Sequence, residues 1–336
     1  MIMRLSYRAV SMLPVSLFFA IGVAQAGPVS PYSAIYAFGD SLSDVGNAYT
    51  ATLGAEPAAP YANGQFSNGP VWVQDLATGL GLAPLKPSLL GGTDFAVGGA
   101  ETGTTPVHTA TVGDLLGPLG QITAFQTLNP TANPNALYTI WIGANDLESI
   151  PVGSTTPQVA ADIAAMVGNI ETAIGTLAGD GAKNFLILTV PDLGKTPEAT
   201  ATGPLGAATA SAVSAGFDTA LASSVTALGT ADGLNLKVLD TYSLIDEIVA
   251  NPGLFGFTNV DSACLTGAVN FAGGTPCAAT MAAQDQYLFW DQQHPTAAGH
   301  ALVADAALAI VTPEPASLAL MGTALCGFFL FRRRRG

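Results

Sequence analysis

Only three histidines occur in this chain, His108, His294 and His300, and one of them stands where it could serve as a base. His294 lies in Trp290-Asp291-Gln292-Gln293-His294-Pro295. A carboxylate three residues ahead of an imidazole can hold the ring in one tautomer and stabilise its protonated form. His108 sits in a Thr-rich stretch without such a neighbour, and His300 reads as a helix residue. The matching nucleophile is Ser41, in Phe38-Gly39-Asp40-Ser41-Leu42-Ser43-Asp44-Val45-Gly46-Asn47, where an apolar run ends. A serine hydroxyl attacks poorly until a base takes its proton. At a strand-to-helix turn it would face solvent, with backbone N–H groups of the helix start aimed at a developing negative charge. Gly-Asp-Ser is also an ordinary capped turn, so the serine needs its partners to carry meaning.

A tetrahedral intermediate would need hydrogen-bond donors, and two blocks offer them. Gly98-Gly99 follows the short apolar run Phe95 to Val97, and Gly143-Ala144-Asn145-Asp146 follows Leu137 to Ile142. Glycine lets a backbone N–H approach a substrate with no side chain in the way, and the Asn145 amide adds a second donor. In the serine's own turn, Asp40, Asp44 and Asn47 read as local hydrogen-bonding residues rather than groups that act on substrate.

These residues must be brought together by the elements around them. Apolar runs at Ala34 to Phe38, Phe95 to Val97, Leu137 to Ile142, Phe185 to Val190 and Leu236 to Leu239 read as strands. Several do not alternate, which marks strands buried on both faces. Val213, Phe217, Leu221, Val225 and Leu228 recur at helical spacing, and Thr296 could cap a last helix from about Ala297 to Ile310. The Ala/Thr-rich stretch Ala199 to Ala212 reads as a surface loop or the start of a helix. Strand and helix alternate throughout, the pattern of an open parallel sheet covered on both sides, in which reactive groups gather beyond the carboxyl ends of the strands. No linker divides the body, and one domain over residues 27–311 is expected.

With Gly-Asp-Ser-Leu-Ser-Asp-x-Gly-Asn at its start, two donor blocks between and Trp-Asp-x-x-His-Pro-Thr at its end, the chain resembles the GDSL or SGNH hydrolases. The resemblance covers about Ala34 to Ala309 and is nearest to the branch of plant GDSL lipases and bacterial phospholipase/acyltransferases. It implies a three-layer α/β/α, flavodoxin-like fold with a mostly parallel five-stranded sheet, and a serine esterase or lipase that needs no cofactor and no metal. Carried over residue by residue, it implies Ser41 as nucleophile, Asp291 and His294 as its partners, and an oxyanion hole from Ser41, Gly99 and Asn145. The glycine block departs from the family in reading Asp94-Phe95-Ala96 where an asparagine is common. The adjacent glycines leave Gly98 and Gly99 both open as donors, and alignment of the block favours Gly99. Asp146 and Asp192 also match family positions and read as loop-shaping.

Other chemistries fail on spacing. Gly194-Lys195-Thr196 imitates the end of a phosphate loop, but Thr189 stands where its first glycine belongs. There is no His-Glu-x-x-His pair, no paired-cysteine zinc frame and no Gly-x-Ser-x-Gly elbow. Six of the ten basic residues lie at the ends, so the body opposes Lys86, Lys183, Lys195 and Lys237 to 23 carboxylates, a net charge of about −19. Nucleic acid and anionic membranes are therefore poor partners, and soluble or neutral esters are preferred.

The ends read as sorting signals. Residues 1–26 carry Arg4 and Arg8, an apolar stretch and Ala24-Gln25-Ala26, the form of a secretory signal peptide. Residues 312–336 run Thr-Pro-Glu-Pro, sixteen mostly apolar residues, four arginines and a final glycine. That tail resembles the PEP-CTERM sorting signal of envelope proteins, which implies transient membrane insertion and removal by a sorting protease; a permanent single-span anchor is the alternative. Export also explains the cysteines. Cys326 falls in the tail, leaving Cys264 and Cys277 as a pair, and a disulfide between them would stabilise the body by about 3 kcal/mol in the chain-entropy model. Three functions follow for the exported body: an esterase or lipase, an O-acetyl esterase acting on polysaccharide, or a silent envelope protein that binds polysaccharide through the same cleft.

Overall fold

The computed structural model describes residues 30–104 and 117–312. The signal segment at 1–26, His108 and the sorting tail beyond Thr312 lie outside the described residues.

Four of the five apolar runs form strands: β1 (Ile35–Gly39), β2 (Leu137–Trp141), β3 (Asn184–Leu188) and β4 (Asn235–Leu239). They pair in parallel in the order β1-β2-β3-β4. The fifth run corrects the expected five-stranded sheet. Residues 93–97 lie along the free side of β1, where Ala37 donates to Thr93 and Phe95 and Val97 donate to Ala37 and Gly39, but only one bridge to β1 results, between Ala37 and Asp94. The reason is local: the Asp94 carboxylate accepts the outward N–H of Ala96, its backbone pairs with Lys86 and Ser88, and the chain then turns at Gly98. That edge is closed rather than extended. With this segment as its edge, the sheet reverses direction of winding at β1, so the crevice between the ends of β1 and β2 is a topological switch point.

Helices follow in chain order: α1 (Asn47–Ala51), α2 (Trp72–Gly79), α3 (Pro118–Leu128), α4 (Ala144–Glu148), α5 (Thr156–Gly179), α6 (Pro197–Ala201), α7 (Pro204–Asp232), α8 (Thr241–Ala250), α9 (Met281–Gln284) and α10 (Ala297–Val311). Alternate strand residues face opposite layers. Phe38, Tyr138, Ile140, Phe185 and Ile187 join α3, α5 and α7 in one core, while Ile35, Ala37, Leu137, Leu186 and Leu188 join α2 and α10 in the other. The spacing seen from Val213 to Leu228 is the buried face of α7. Thr196 caps α6 and Thr296 caps α10 through their hydroxyls. The Ala/Thr-rich stretch is helical, divided between the end of α6 and the start of α7 at Gly203, where φ is +91°.

Beyond β4 the chain builds a small cap from β5 (Asn259–Ala263), β6 (Leu265–Thr266), β7 (Thr275–Pro276) and β8 (Tyr287–Phe289). β5 pairs with β8 and β6 with β7. A disulfide joins Cys264 to Cys277 at the base of the β6–β7 loop, as the cysteine count predicted.

Asp218 on α7 is a structural carboxylate with a testable signature. One oxygen accepts the N–H of Val190 at the exit of β3, the other is buried with no partner among the described residues, and burial pushes its pKa up to about 8. The folded state therefore binds a proton that the unfolded chain has released. Its contribution to stability is full below about pH 3.8 and is lost as pH rises towards 8. Calorimetry of wild type and Asp218→Asn from pH 5 to 8.5 should show Tm falling more steeply with pH in wild type. Parallel curves would place the proton elsewhere.

Candidate active site

Ser41 stands just past the end of β1. Asp40 shapes its turn: one carboxylate oxygen accepts the Leu42 N–H at 2.9 Å, and its carbonyl accepts from Ser43 and Asp44. The helix expected to begin at the serine starts instead at Asn47. Asp44 causes the delay, because its carboxylate takes the N–H groups of Gly46, Asn47 and Ala48 and so caps the chain three residues further on. α1 therefore does not begin at Ser41, and an anion there would be met by single N–H groups.

Those groups are provided by neighbouring turns. Asp44 also accepts the Gly98 N–H at 2.9 Å, which consumes the donor of the first glycine. The N–H groups of Gly99 and Ser41 take no partner among the described residues. Gly99 lines the cleft with φ at +78°, a conformation suited to glycine. Of the two glycines, Gly99 is therefore the one with an N–H left to offer. Asn145, in the first turn of α4, gives one amide hydrogen to the carbonyl of Ala100 at 2.9 Å, which fixes the amide plane and leaves the other hydrogen for the cleft. Asp146 ties the same loop down by accepting from the N–H and hydroxyl of Thr102, and Asp192 accepts from Gly194. Both shape loops, as their positions suggested.

His294 approaches from the other end of the sequence. Its Nε2 lies 2.8 Å from Ser41 Oγ, and its Nδ1 lies 2.8 and 3.0 Å from the two oxygens of Asp291. Asp291 further accepts the N–H groups of Gln293 and His294. Burial alone would raise the Asp291 pKa, but the charge of His294 and these hydrogen bonds outweigh it and hold the carboxyl below its ordinary value. Burial would likewise lower His294, and the facing carboxylate of Asp291, helped by Asp40 and Glu148, lifts it above 6.5 instead. Asp40, fully buried beside the site, is pushed up to about 7 by desolvation. The His300 ring is also wholly buried, has no hydrogen-bond partner among the described residues and is pushed down to about 3, so it stays neutral and has no part in the geometry around Ser41.

Several contributors gave no signal in the sequence. Tyr61 donates its hydroxyl to Asp291 at 2.7 Å from a position 230 residues away. Phe66 and Phe271 lie against the His294 ring, with centroids 5.3 and 5.6 Å from it. Gln293 bridges the carboxylates of Glu148 and Glu198 at the rim. All come from irregular segments, and Phe271 itself holds φ at +53°. Two spaces meet at Ser41 and His294: a small inner pocket of about 40 Å³ and an open cleft of about 580 Å³.

Comparison with known proteins agrees with this arrangement of blocks. Residues 35–307 match the family of GDSL-like lipases/acylhydrolases, and residues 311–335 match the PEP-CTERM protein-sorting motif. A thermolabile hemolysin of Vibrio parahaemolyticus is 30% identical over 81% of this chain, which spans 62% of that protein's length. A phosphatidylcholine-sterol acyltransferase of Aeromonas hydrophila is 30% identical over 89% of this chain and 84% of its own length. Among solved structures, a lipolytic protein of the G-D-S-L family from Veillonella parvula aligns over 82% of this chain and 96% of its own, at 15% identity and a TM-score of 0.43.

Proposed function

Since the chain belongs to the GDSL-like lipase/acylhydrolase family, a family of carboxylic ester hydrolases, we propose that it is an exported serine esterase working through Ser41, His294 and Asp291. The observation that carries this reading is the unbroken line from Ser41 Oγ to His294 Nε2 and from His294 Nδ1 to Asp291. His294 takes the hydroxyl proton as Ser41 adds to the ester carbonyl. The N–H groups of Ser41 and Gly99 and the Asn145 amide receive the oxyanion. His294, now protonated and held by Asp291, returns the proton to the leaving alcohol, and water then releases the acid by the same route. Tyr61 adds a fourth hydrogen-bond donor to Asp291 and fixes the carboxylate's plane.

The PEP-CTERM motif marks the protein for export and sorting at the cell envelope. In this reading residues 1–26 are removed as a signal peptide, residues 27–311 form the hydrolase body, and a sorting protease removes the tail at 312–336. The acyltransferase relative supports a second outcome for the acyl-enzyme, transfer to an alcohol in place of water, and the open cleft has room for such an acceptor.

Incubation of the exported protein with a p-nitrophenyl alkylphosphonate tests the assignment. Stoichiometric release of p-nitrophenol should accompany a phosphonyl adduct on the peptide containing Ser41, with loss of esterase activity. An adduct on another residue, or activity that persists in the fully modified protein, would sink it.

A further inference from the structure

The two spaces that meet at Ser41 differ in size and character. The small pocket runs inward beneath the ends of β2 and β3, walled mainly by Leu42, Trp141, Leu193, Ile245, Phe289 and Val303. At about 40 Å³ it has room for about three groups the size of a water molecule. The open cleft is more than ten times larger at about 580 Å³, with the rings of Tyr61, Phe66 and Phe271 on one side and Asn270, Gln292 and Glu198 among its polar lining.

An ester has two arms, and the order of chemical events separates them. The alcohol arm must leave while the acyl arm is still bonded to Ser41, and water must then reach the same carbon. A departing alcohol leaves more readily through the large cleft than past the walls of a pocket of about 40 Å³. An acyl arm can stay there through both steps and leave the cleft free for exchange. From this difference in size we infer that the small inner pocket holds the acyl arm and the large cleft the alcohol arm, so that the enzyme acts on short acyl groups, of about two to four carbons, carried by bulky alcohols. The inference rests on the serine esterase reading and adds its substrate class. The cleft also states what the alcohol lacks. Glu56, Glu148 and Glu198 line it and, among the described residues, no lysine or arginine does, so an alcohol arm bearing phosphate or carboxylate would meet like charge with no cation to offset it.

A pair of esters with exchanged arms tests the assignment on the exported protein: octyl acetate, with a short acyl and a long alcohol arm, and ethyl octanoate, the reverse. Methylenes that do not fit a small pocket cost strongly in kcat/KM. Octyl acetate should therefore be the better substrate by about 100-fold or more. Ile245→Ala and Leu193→Ala, which lengthen the cavity at two independent walls, should each raise the ratio of ethyl octanoate to octyl acetate turnover by about tenfold or more. Two variants are used because either truncation removes a buried side chain. Preference for ethyl octanoate in wild type would overturn the assignment and leave the serine esterase intact. So would an unchanged ratio in both folded variants. Failure to hydrolyse either ester or p-nitrophenyl acetate, together with no phosphonate adduct on Ser41, would remove the esterase reading and this inference with it.

Discussion

Replacing Ser41 with alanine is expected to lower kcat/KM for p-nitrophenyl acetate by about 10⁴-fold or more while leaving the fold unchanged. Removal of a nucleophile from other serine triads costs four to six orders of magnitude, because the remaining groups can only bind and polarise the ester. The folded state has little to lose. The Ser41 hydroxyl makes one hydrogen bond, to His294 Nε2, and that ring keeps its contacts with Asp291, Phe66 and Phe271. Loss of one such bond is worth about 1 kcal/mol, so circular dichroism spectra should superimpose and Tm should move by only a few degrees. The same variant separates the enzymatic readings from the silent polysaccharide-binding one. A binder would show no turnover in wild type and equal polysaccharide affinity in both proteins. An esterase loses turnover and keeps its cleft. Equal ester hydrolysis by wild type and variant would refute the role given to Ser41.

How far the site could be read from sequence depends on how local its causes are. Asp291 and His294 are three residues apart, and a carboxylate at that distance from an imidazole is visible in the sequence. Ser41 and the donors proposed at Gly99 and Asn145 each follow an apolar run, and a parallel sheet places the ends of such runs side by side. The errors also have local causes. A fifth strand was expected at Phe95 to Val97, but Asp94 turns its side chain back on Ala96 and closes that edge. A helix was expected to start at Ser41, but Asp44 captures the N–H groups that begin it at Asn47. In both cases a buried aspartate diverts backbone that the apolar pattern had assigned elsewhere. The aromatic wall had no comparable signal. Tyr61, Phe66 and Phe271 reach His294 and Asp291 from loops whose course depends on positive φ at Asn63, Asn270 and Phe271, and on the disulfide that closes the loop around Phe271. Neither periodicity nor spacing encodes such contacts.

Asp291→Asn is expected to cost about 10⁴-fold in kcat near neutral pH, as the loss of this partner does in other triads, and the hydrogen bonds here say why. In wild type the backbone N–H groups of Gln293 and His294 both point at Oδ1, while Tyr61 donates to Oδ2 and the His294 Nδ1 proton is shared by the two oxygens. Asparagine has a single oxygen, and the two fixed backbone donors claim it. Its NH₂ then lies beside His294 Nδ1, which must accept. The proton moves to Nε2, and an imidazole protonated at Nε2 cannot take one from Ser41. The pH profile distinguishes this account from simple loss of structure. His294 must be neutral to act as base, so kcat/KM in wild type should rise with pH on an acid limb above 6.5, where Asp291, Asp40 and Glu148 hold the histidine. Removing the Asp291 charge lets burial act against only Asp40 and Glu148. The limb should move to lower pH even as the plateau falls. An activity loss with the limb unmoved would mean that another group titrates there, and a variant that keeps wild-type activity would leave Asp291 as a scaffold for the loop alone.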